Sequence, residues 1–213
     1  MPLKNQLLGI NIGEERLLNL GPKPSRTGIF KLPVQTVEVT SLGCVGDRIV
    51  SEKHHGGPDQ AVYVYTQPDY DQWESLEKLK LAPGTFGENL LVSGLDSAAG
   101  VIGDRLIFKD VILEVSAPRI PCATLAARMG DPKFVKMFVK MERPGFYCRV
   151  IKEGKLSVGE SFTYEPTSGP QVTIGDLYKD HYANAPEQER IKLFLSAPIA
   201  IRIRKKMELR LKI

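Results

Sequence analysis

The segment HHGGPDQAVYVYT, residues 54–66, joins a paired-glycine turn to a short run that is apolar on both faces. A strand of that kind lies inside a sheet rather than at its edge. Outward from it, similar short runs recur between Gly, Pro and Asp: LLGINI near residue 10, VQTVEVT at 34–40, then ENLLVSG, DRLIFKD, VILEVSA, GFYCRVI and ESFTY. So many short strands predict a barrel or a sandwich.

Helical periodicity interrupts the strands in two places. Residues 68–80 begin with Pro68 and an acidic first turn, which is typical of a helix N-terminus. After Pro121, the segments CATLAARMG and DPKFVKMFVKMER predict two short helices, the second with Asp131 as N-cap and Pro132 at its first position. The fold class predicted is mixed α/β and β-rich, with peripheral helices.

The residue pattern of the sequence changes after a linker-like stretch, EPTSGPQ at 165–171. Beyond it, the pattern predicts three amphipathic helices separated by Pro186 and Pro198. Such a short segment cannot form a large core of its own. We therefore expect a main domain over 1–166 and a three-helix domain over 172–213, which packs on the main domain or on another copy of the chain in a homodimer.

The charge of the chain is unevenly distributed. Its 29 Lys and Arg exceed its 25 Asp and Glu by four, yet residues 1–170 hold 20 of each sign. This neutral body argues against a chain-wide nucleic-acid surface. The last segment, IRIRKKMELRLK, could contact phosphates. Its basic residues nevertheless alternate with apolar ones at helical spacing, which favours a packed helix with a solvated face.

Cellular location and cysteine use follow from simple counts. The sequence has no run of about 18 apolar residues and no signal-like start, so we expect a cytoplasmic protein without membrane association. Cys44, Cys122 and Cys148 are odd in number and lack CxxC spacing, which excludes a disulfide framework, a zinc knuckle and the usual iron–sulfur patterns. Cys44 and Cys148 have apolar neighbours and are expected to pack as small hydrophobic residues.

The loop PSRTGIFK places Ser25, Arg26, Thr27 and Lys31 around a glycine. Hydroxyl, guanidinium and ammonium donors so close together suit an anionic group. A solvated basic loop without a ligand is the alternative interpretation.

A second candidate loop contains Lys53, His54 and His55 directly before Gly56 and Gly57. Adjacent histidines in extended chain point to opposite sides, so one of them can face a site and titrate near neutral pH. The glycines allow backbone N–H groups to approach a ligand. The alternative is that each histidine is an ordinary hydrogen-bonding residue.

Two further segments carry polar or reactive groups. In GTFGENLLV, Asn89 begins a strand and could bond both edges of a heterocycle, although turn chemistry also explains this text. In SAPRIPCATLAARMG, Cys122 follows Pro121 at the predicted start of a helix, three residues after Arg119. A helix N-terminus and a nearby guanidinium both favour the thiolate form of the cysteine.

Taken in this order, TGIFK, HHGGPDQAV, FGENL, PRIPC and GFYCRV resemble the MOSC domain family, named for the C-terminal domain of molybdenum cofactor sulfurase. The resemblance covers about residues 20–165, and the tail resembles the three helices appended in YiiM-type members. It implies a barrel-like mixed fold and a molybdenum cofactor of the molybdopterin type. It also implies that Cys122 is the protein ligand to the metal, and a soft thiolate suits a sulfur-rich metal centre.

The resemblance extends to the other candidate residues and to an activity. It implies that the phosphate of the cofactor is bound by residues among Ser25, Arg26, Thr27, Lys31, Lys53 and Arg119. It also implies that the pterin and the open face of the metal are surrounded by Gly56, Gly57, His54, His55 and Asn89. Related enzymes reduce N-hydroxylated compounds, including hydroxylamino purines, amidoximes and oximes, in a detoxifying role, and a histidine could shuttle the protons. Without a Rossmann pattern or a cluster-binding cysteine set, the electrons would come from an external flavin or iron–sulfur protein.

One alternative function remains open at this point. MOSC domains also occur in sulfurases, so the chain could instead be a carrier of the molybdenum cofactor or a sulfur-transfer module that uses a persulfide on Cys122.

Overall fold

The computed structural model describes residues 4–19, 24–50, 56–183 and 187–211. Its strands are β1 (Leu7–Gly13), β2 (Arg16–Asn19), β3 (Pro24–Thr27), β4 (Lys31–Val34), β5 (Thr36–Thr40), β6 (Gly43–Cys44), β7 (Val62–Thr66), β8 (Leu90–Val92), β9 (Arg105–Ile107), β10 (Ile112–Pro118), β11 (Phe146–Lys152), β12 (Gly154–Ser157) and β13 (Thr163–Glu165). Its α-helices are α1 (Gln67–Glu77), α2 (Ala123–Met129), α3 (Phe134–Met141), α4 (Ile174–His181), α5 (Gln188–Ser196) and α6 (Ile201–Leu211). A short 3-10 helix, Pro58–Gln60, precedes β7.

Eight strands form one sheet in the order β13-β9-β10-β11-β7-β8-β1-β4. Neighbours are antiparallel except β7 and β8, which run parallel. All five residues of β7 are buried and the strand lies inside the sheet, which confirms the prediction from its two apolar faces. Two smaller sheets, β12-β5-β6 and β2-β3, complete the strands.

The large sheet curls into a barrel-like body. No ladder joins its end strands, β13 and β4, within the described ranges. Backbone hydrogen bonds instead join segments near the two ends: Val158 N, after β12, donates to Gln35 O, after β4, at 3.0 Å, and Leu7 N in β1 donates to Glu160 O, before β13, at 2.8 Å. The predicted β-rich, barrel-like mixed fold is therefore confirmed.

Alternation along β7 explains why both of its faces are apolar. Val62 and Val64 belong to the main apolar core between the sheets, whereas Tyr63 and Tyr65 belong to a second, aromatic cluster on the opposite face. Successive strand residues point to opposite sides, so this one strand separates two buried cores. The aromatic cluster is covered by α1 and α3; its other large members are Tyr70, Trp73, Phe86, Phe134, Phe138 and Tyr178.

The helix boundaries follow local capping. Helix α1 begins one residue before Pro68, because Thr66 and Asp69 form a capping box. The prediction of Asp131 as N-cap of α3 is wrong: the helix begins at Phe134. The Asp131 carboxylate accepts from Lys133 N at 2.8 Å, so it closes a turn before the helix. None of the described helices combines the length and the apolar character needed to cross a membrane.

The three C-terminal helices are present as predicted, and they pack on the body of the same chain. Apolar residues of α4 and α5, such as Leu177, Ile191 and Phe194, belong to the same buried core as the strands. Ala200 N, just before α6, donates to Ser116 O in β10 at 3.0 Å. The division into domains at 1–166 and 172–213 stays a prediction.

Candidate functional site

A cavity of about 470 Å³ opens between the barrel-like body and the start of α2. That volume suits a small molecule or a cofactor. Its walls come from segments far apart in sequence, and they include Arg26, Thr27, Gly28, Ile29, Lys31, Asp47, Arg48, Ile49, Val50, Gly56, Gln60, Ala61, Tyr63, Phe86, Gly87, Asn89, Arg119, Ile120, Pro121, Cys122, Ala123, Thr124 and Tyr147.

Cys122 is the cysteine of this cavity. It is half-buried and is the N-cap of α2, where its carbonyl accepts from Leu125 N at 3.0 Å. Cys44 and Cys148 are buried instead, and burial raises the pKa of Cys44 to about 12. Both therefore stay protonated and pack as small hydrophobic residues, as predicted. Of the three thiols, only that of Cys122 lines the cavity.

Arg119 brings a buried positive charge to the same wall. The residue is only 4% exposed, and its Nη1 makes no hydrogen bond to a described residue. Its guanidinium lies over the rings of Tyr63 and Phe138, at 5.7 and 5.4 Å from their centroids. Ring faces attract a cation weakly, but they do not replace a hydrogen-bond acceptor. A guanidinium cannot lose its charge at neutral pH, so Arg119 favours an anionic ligand.

Two tyrosines form the aromatic part of the wall. Tyr63 and Tyr147 are register partners on β7 and β11, and their ring centroids are 5.2 Å apart. The Tyr63 hydroxyl donates to Pro144 O at 2.9 Å. Burial raises the pKa of Tyr147, whose electrostatic neighbours include Arg119 and Cys122. Its hydroxyl is therefore protonated at neutral pH and can act as a hydrogen-bond donor.

Lys31, Asp47 and Asn89 form a buried polar group in the cavity wall. Lys31 Nζ contacts both carboxylate oxygens of Asp47 at 2.5 Å. Asn89 Nδ2 donates to Asp47 Oδ2 at 2.9 Å, and its Oδ1 accepts from Tyr63 N at 3.1 Å. Both polar atoms of Asn89 are thus bonded within the protein, and a ligand at this side would meet an ion pair that is already neutralised.

Exposed arginines surround the mouth of the cavity. Arg26 Nη1 lies 2.8 Å and Arg48 Nη2 lies 3.5 Å from the carboxylate of Glu15, so two cations share one acid. Their side chains are 71% and 67% exposed, and exposed ion pairs of this kind are weak. Thr27 is buried beside them, and its hydroxyl accepts from Ile29 N at 3.1 Å. The mouth therefore carries a net positive charge.

A turn of two glycines borders the cavity. Gly56 and Gly57 have φ angles of +75° and +86°, a region that other residues rarely adopt. A Cβ on Gly56 would lie 2.9 Å from the side chain of Ile49, so this turn packs closely as well. Gly56 lines the cavity and Gly57 does not.

The structure brings together many of the residues proposed from the sequence. Seven of them line the cavity: Arg26, Thr27, Lys31, Gly56, Asn89, Arg119 and Cys122. Ser25 and Gly57 do not line it. Lys53, His54 and His55 lie outside the described residues. The segment of Ser25, Arg26 and Thr27, expected as a loop, is strand β3.

Sequence reasoning missed seven polar or aromatic residues of the wall: Asp47, Arg48, Gln60, Tyr63, Phe86, Thr124 and Tyr147. The two tyrosines had a usable signal, because both are aromatic residues inside motif strands. Asp47 and Arg48 follow Gly46 in an ordinary turn, and no local pattern distinguishes them.

Comparison with known proteins agrees with this fold and this cysteine-lined cavity. A sequence profile described as MOSC domain matches residues 51–163, and the chain belongs to the MOSC domain family. It is a YiiM-type member: the crystal structure of YiiM from Geobacillus stearothermophilus superposes with a TM-score of 0.80 at 25% identity, covering 99% of this chain and 100% of that one.

Two sequence relatives extend the comparison. The uncharacterized protein YflK of Bacillus subtilis is 32% identical over 191 residues, which cover 89% of this chain and 86% of YflK. A protein named Reductase from Gibberella moniliformis is 34% identical over 141 residues, 63% of this chain and 25% of that protein. The region shared with this reductase is therefore a quarter of a longer protein.

Proposed function

We propose that this chain is a molybdenum-cofactor-dependent reductase of N-hydroxylated compounds such as hydroxylamino purines, amidoximes and oximes. One observation carries the proposal: the thiol of Cys122 and the under-compensated guanidinium of Arg119 line the same cavity. The membership of the MOSC family and the relative named Reductase support it.

The residues of the cavity fit such a cofactor. Cys122 offers a soft sulfur ligand to molybdenum. Arg119 offers a buried cation, and the mouth offers Arg26 and Arg48, for phosphate and other anionic groups of the cofactor. Tyr63 and Tyr147 offer flat apolar faces for a ring system. When bound, the cofactor would supply the two-electron reduction of the N–O bond.

The protein's own residues have separate tasks in this proposal. Cys122 would hold the metal through Sγ, and Arg119 Nη1 would donate to an anionic group of the cofactor. Tyr147, protonated at neutral pH, can donate a hydrogen bond to the substrate oxygen beside Cys122. His54 and His55 stay our candidates for proton transfer. The reaction needs two electrons and two protons and releases water. In this proposal an external flavin or iron–sulfur protein supplies the electrons.

The test is metal and pterin analysis of the wild-type chain beside Cys122→Ala, both made in a host that synthesises the cofactor. We expect molybdenum in the wild type, and loss of both molybdenum and hydroxylamine reduction in the variant. Cys148→Ala, which removes a thiol from the core, is the matched control and should keep both.

Two outcomes would contradict the proposal. One is a Cys122→Ala chain that reduces a hydroxylamine at the normal rate. The other is a persulfide on Cys122, found by mass spectrometry in a wild-type chain without reductase activity. The second result would favour the alternative, a carrier or sulfur-transfer module.

A further inference from the structure

The C-terminal helix α6 reaches the wall of the cavity through the side chain of Arg202. Arg202, in the first turn of α6, donates from Nη1 to Gln60 Oε1 at 2.5 Å. Gln60 ends the 3-10 helix before β7 and lines the cavity. The two residues are 142 positions apart in the chain, so this contact links the appended helices directly to the site.

The contact fixes which way the amide of Gln60 points. A guanidinium has donors only, so the neighbour that it contacts must be the carbonyl oxygen of the amide. The amide nitrogen of Gln60 then points away from the Arg202 guanidinium. Gln60 Nε2 makes no hydrogen bond to any residue in the described ranges. Its two N–H donors therefore have no acceptor among the described residues, and Gln60 itself lines the cavity.

Asp59, the residue before Gln60, holds the same segment to the C-terminal helices. Its Oδ2 accepts from the backbone nitrogen of Ile201, at the start of α6, at 2.7 Å. Its Oδ1 accepts from Arg149 Nε at 3.0 Å, and Arg149 Nη2 donates to Pro198 O at 2.9 Å. The backbone of the 3-10 helix is therefore tied to α6 on one side and to β11 on the other.

We propose that Gln60 is a ligand-binding residue of the cavity, and that Arg202 is a positioning residue that presents its amide donors. The ligand group is a hydrogen-bond acceptor oxygen, carried either by the cofactor or by the N-hydroxylated substrate. This inference rests on the proposed function for the identity of the ligand. The orientation of the amide is independent of that identity.

The positioning step is tested in the full-length chain without cofactor. The side-chain amide of Gln60 is followed by ¹⁵N relaxation and identified by its absence in Gln60→Leu. We expect an ordered amide in the wild type and in Lys205→Met, and a mobile one in Arg202→Met. Lys205 lies on the same helix and is exposed, so its variant removes the same charge. An equally ordered amide in Arg202→Met would overturn the role of Arg202.

The ligand step is tested in chain loaded with cofactor, by molybdenum content and by kcat and KM for a hydroxylamine. We expect Gln60→Leu and Arg202→Met each to show a loss of about tenfold, and the double variant to show no further loss in ligand binding, because both variants remove the contact between Arg202 and Gln60. Arg202→Lys should restore part of it. A loss of molybdenum assigns the acceptor to the cofactor, and a raised KM with full molybdenum assigns it to the substrate.

Wild-type molybdenum content and KM in both single variants would overturn the ligand role of Gln60. Additive losses in the double variant would overturn the coupling between Gln60 and Arg202. A wild-type chain that takes up no molybdenum would overturn the proposed function and the ligand contact together, whereas the relaxation measurement decides the positioning role in either case.

Discussion

In α6, Arg210 donates from both of its terminal nitrogens to the buried carboxylate of Asp180, whereas in the cavity wall Arg119 Nη1 has no acceptor among the described residues. Arg204, on the same helix, donates to the carbonyl oxygens of Leu195 and Ala197 at 2.9 and 2.7 Å. Arg204 and Arg210 thus donate to acceptors within the basic C-terminal segment itself. The electrically neutral body, by contrast, holds a buried guanidinium nitrogen for which the described residues offer no acceptor.

The same contrast holds for acids. Asp180 is 5% exposed and is paired with Arg210. Asp69, in the body, is fully buried, and Arg143 Nη1 is 3.9 Å from its Oδ1, which makes no hydrogen bond to a described residue. The net charge of a segment therefore does not show which charged side chains are structural. A charged side chain with a local partner of opposite charge is structural, whereas one without such a partner can bind a ligand or a proton.

The pairing in the C-terminal helices should give the largest stability effect. Arg210→Met leaves the carboxylate of Asp180 buried without its cation, and we expect a loss of about 3–5 kcal/mol in the free energy of unfolding. Urea denaturation measures this loss, with Lys205→Met as the control of equal charge. A loss below about 1 kcal/mol would show that the pair is solvated, and that Arg210 does not differ from Arg119 in its structural role.

Asp69 should make stability depend on pH. Burial, its largest cause, raises the pKa of this carboxyl from 3.8 to about 6. The folded chain therefore holds the proton more tightly than the unfolded chain, so the contribution of Asp69 is greatest below about pH 3.8 and is lost as the pH rises through about 6. From pH 4 to 7 we expect wild type to lose about 2 kcal/mol relative to Asp69→Asn. Parallel pH profiles of the two proteins would refute this.

Arg119→Met should change stability and binding in opposite directions. Removing an under-compensated buried charge should leave the free energy of unfolding of the cofactor-free chain unchanged or raise it by about 1–2 kcal/mol. The same change should lower the molybdenum content at least tenfold, because the buried donor to the anionic group is lost. Thermal unfolding and metal analysis measure the two effects. A strongly destabilised variant would show that Arg119 has a structural role, like the arginines of α6.

The smallest effect belongs to the exposed lysines of α6. Lys205→Met and Lys206→Met should each alter the free energy of unfolding by less than about 0.5 kcal/mol. If an acidic electron donor docks on this face, the double variant should slow reduction two- to fivefold at low salt, and high salt should abolish the difference. An unchanged rate at low salt would exclude this face as the docking site.

Most of the fold could be predicted because its signals are local. Both faces of AVYVYT are apolar, and the strand does lie between two cores. Polar and apolar residues alternate at helical spacing in the last three helices, so these helices could be predicted as well. The start of α3 could not be read from Asp131 and Pro132, because an Asp–Pro pair caps a turn as readily as a helix.

The candidate site was predictable only where chemistry and sequence motif coincide, as at Cys122 and Arg119. Asn89 shows the limit: its amide suited a heterocycle, yet Tyr63 and Asp47 already occupy both of its edges. Gln60 shows the converse, since its importance depends on Arg202, a residue far away in the chain. Contacts between residues so far apart in the chain cannot be predicted from a local sequence pattern.

The walls of the cavity have a consequence for how the chain folds. They come from segments around residues 26–31, 47–50, 60–63, 86–89, 119–124 and 147, and the parallel β7–β8 pair between them requires a crossover connection. Contacts so distant in sequence form slowly, because long loops must close first. We therefore expect the cavity to be completed after the sheet. A cofactor that binds only the native state would then stabilise it by mass action.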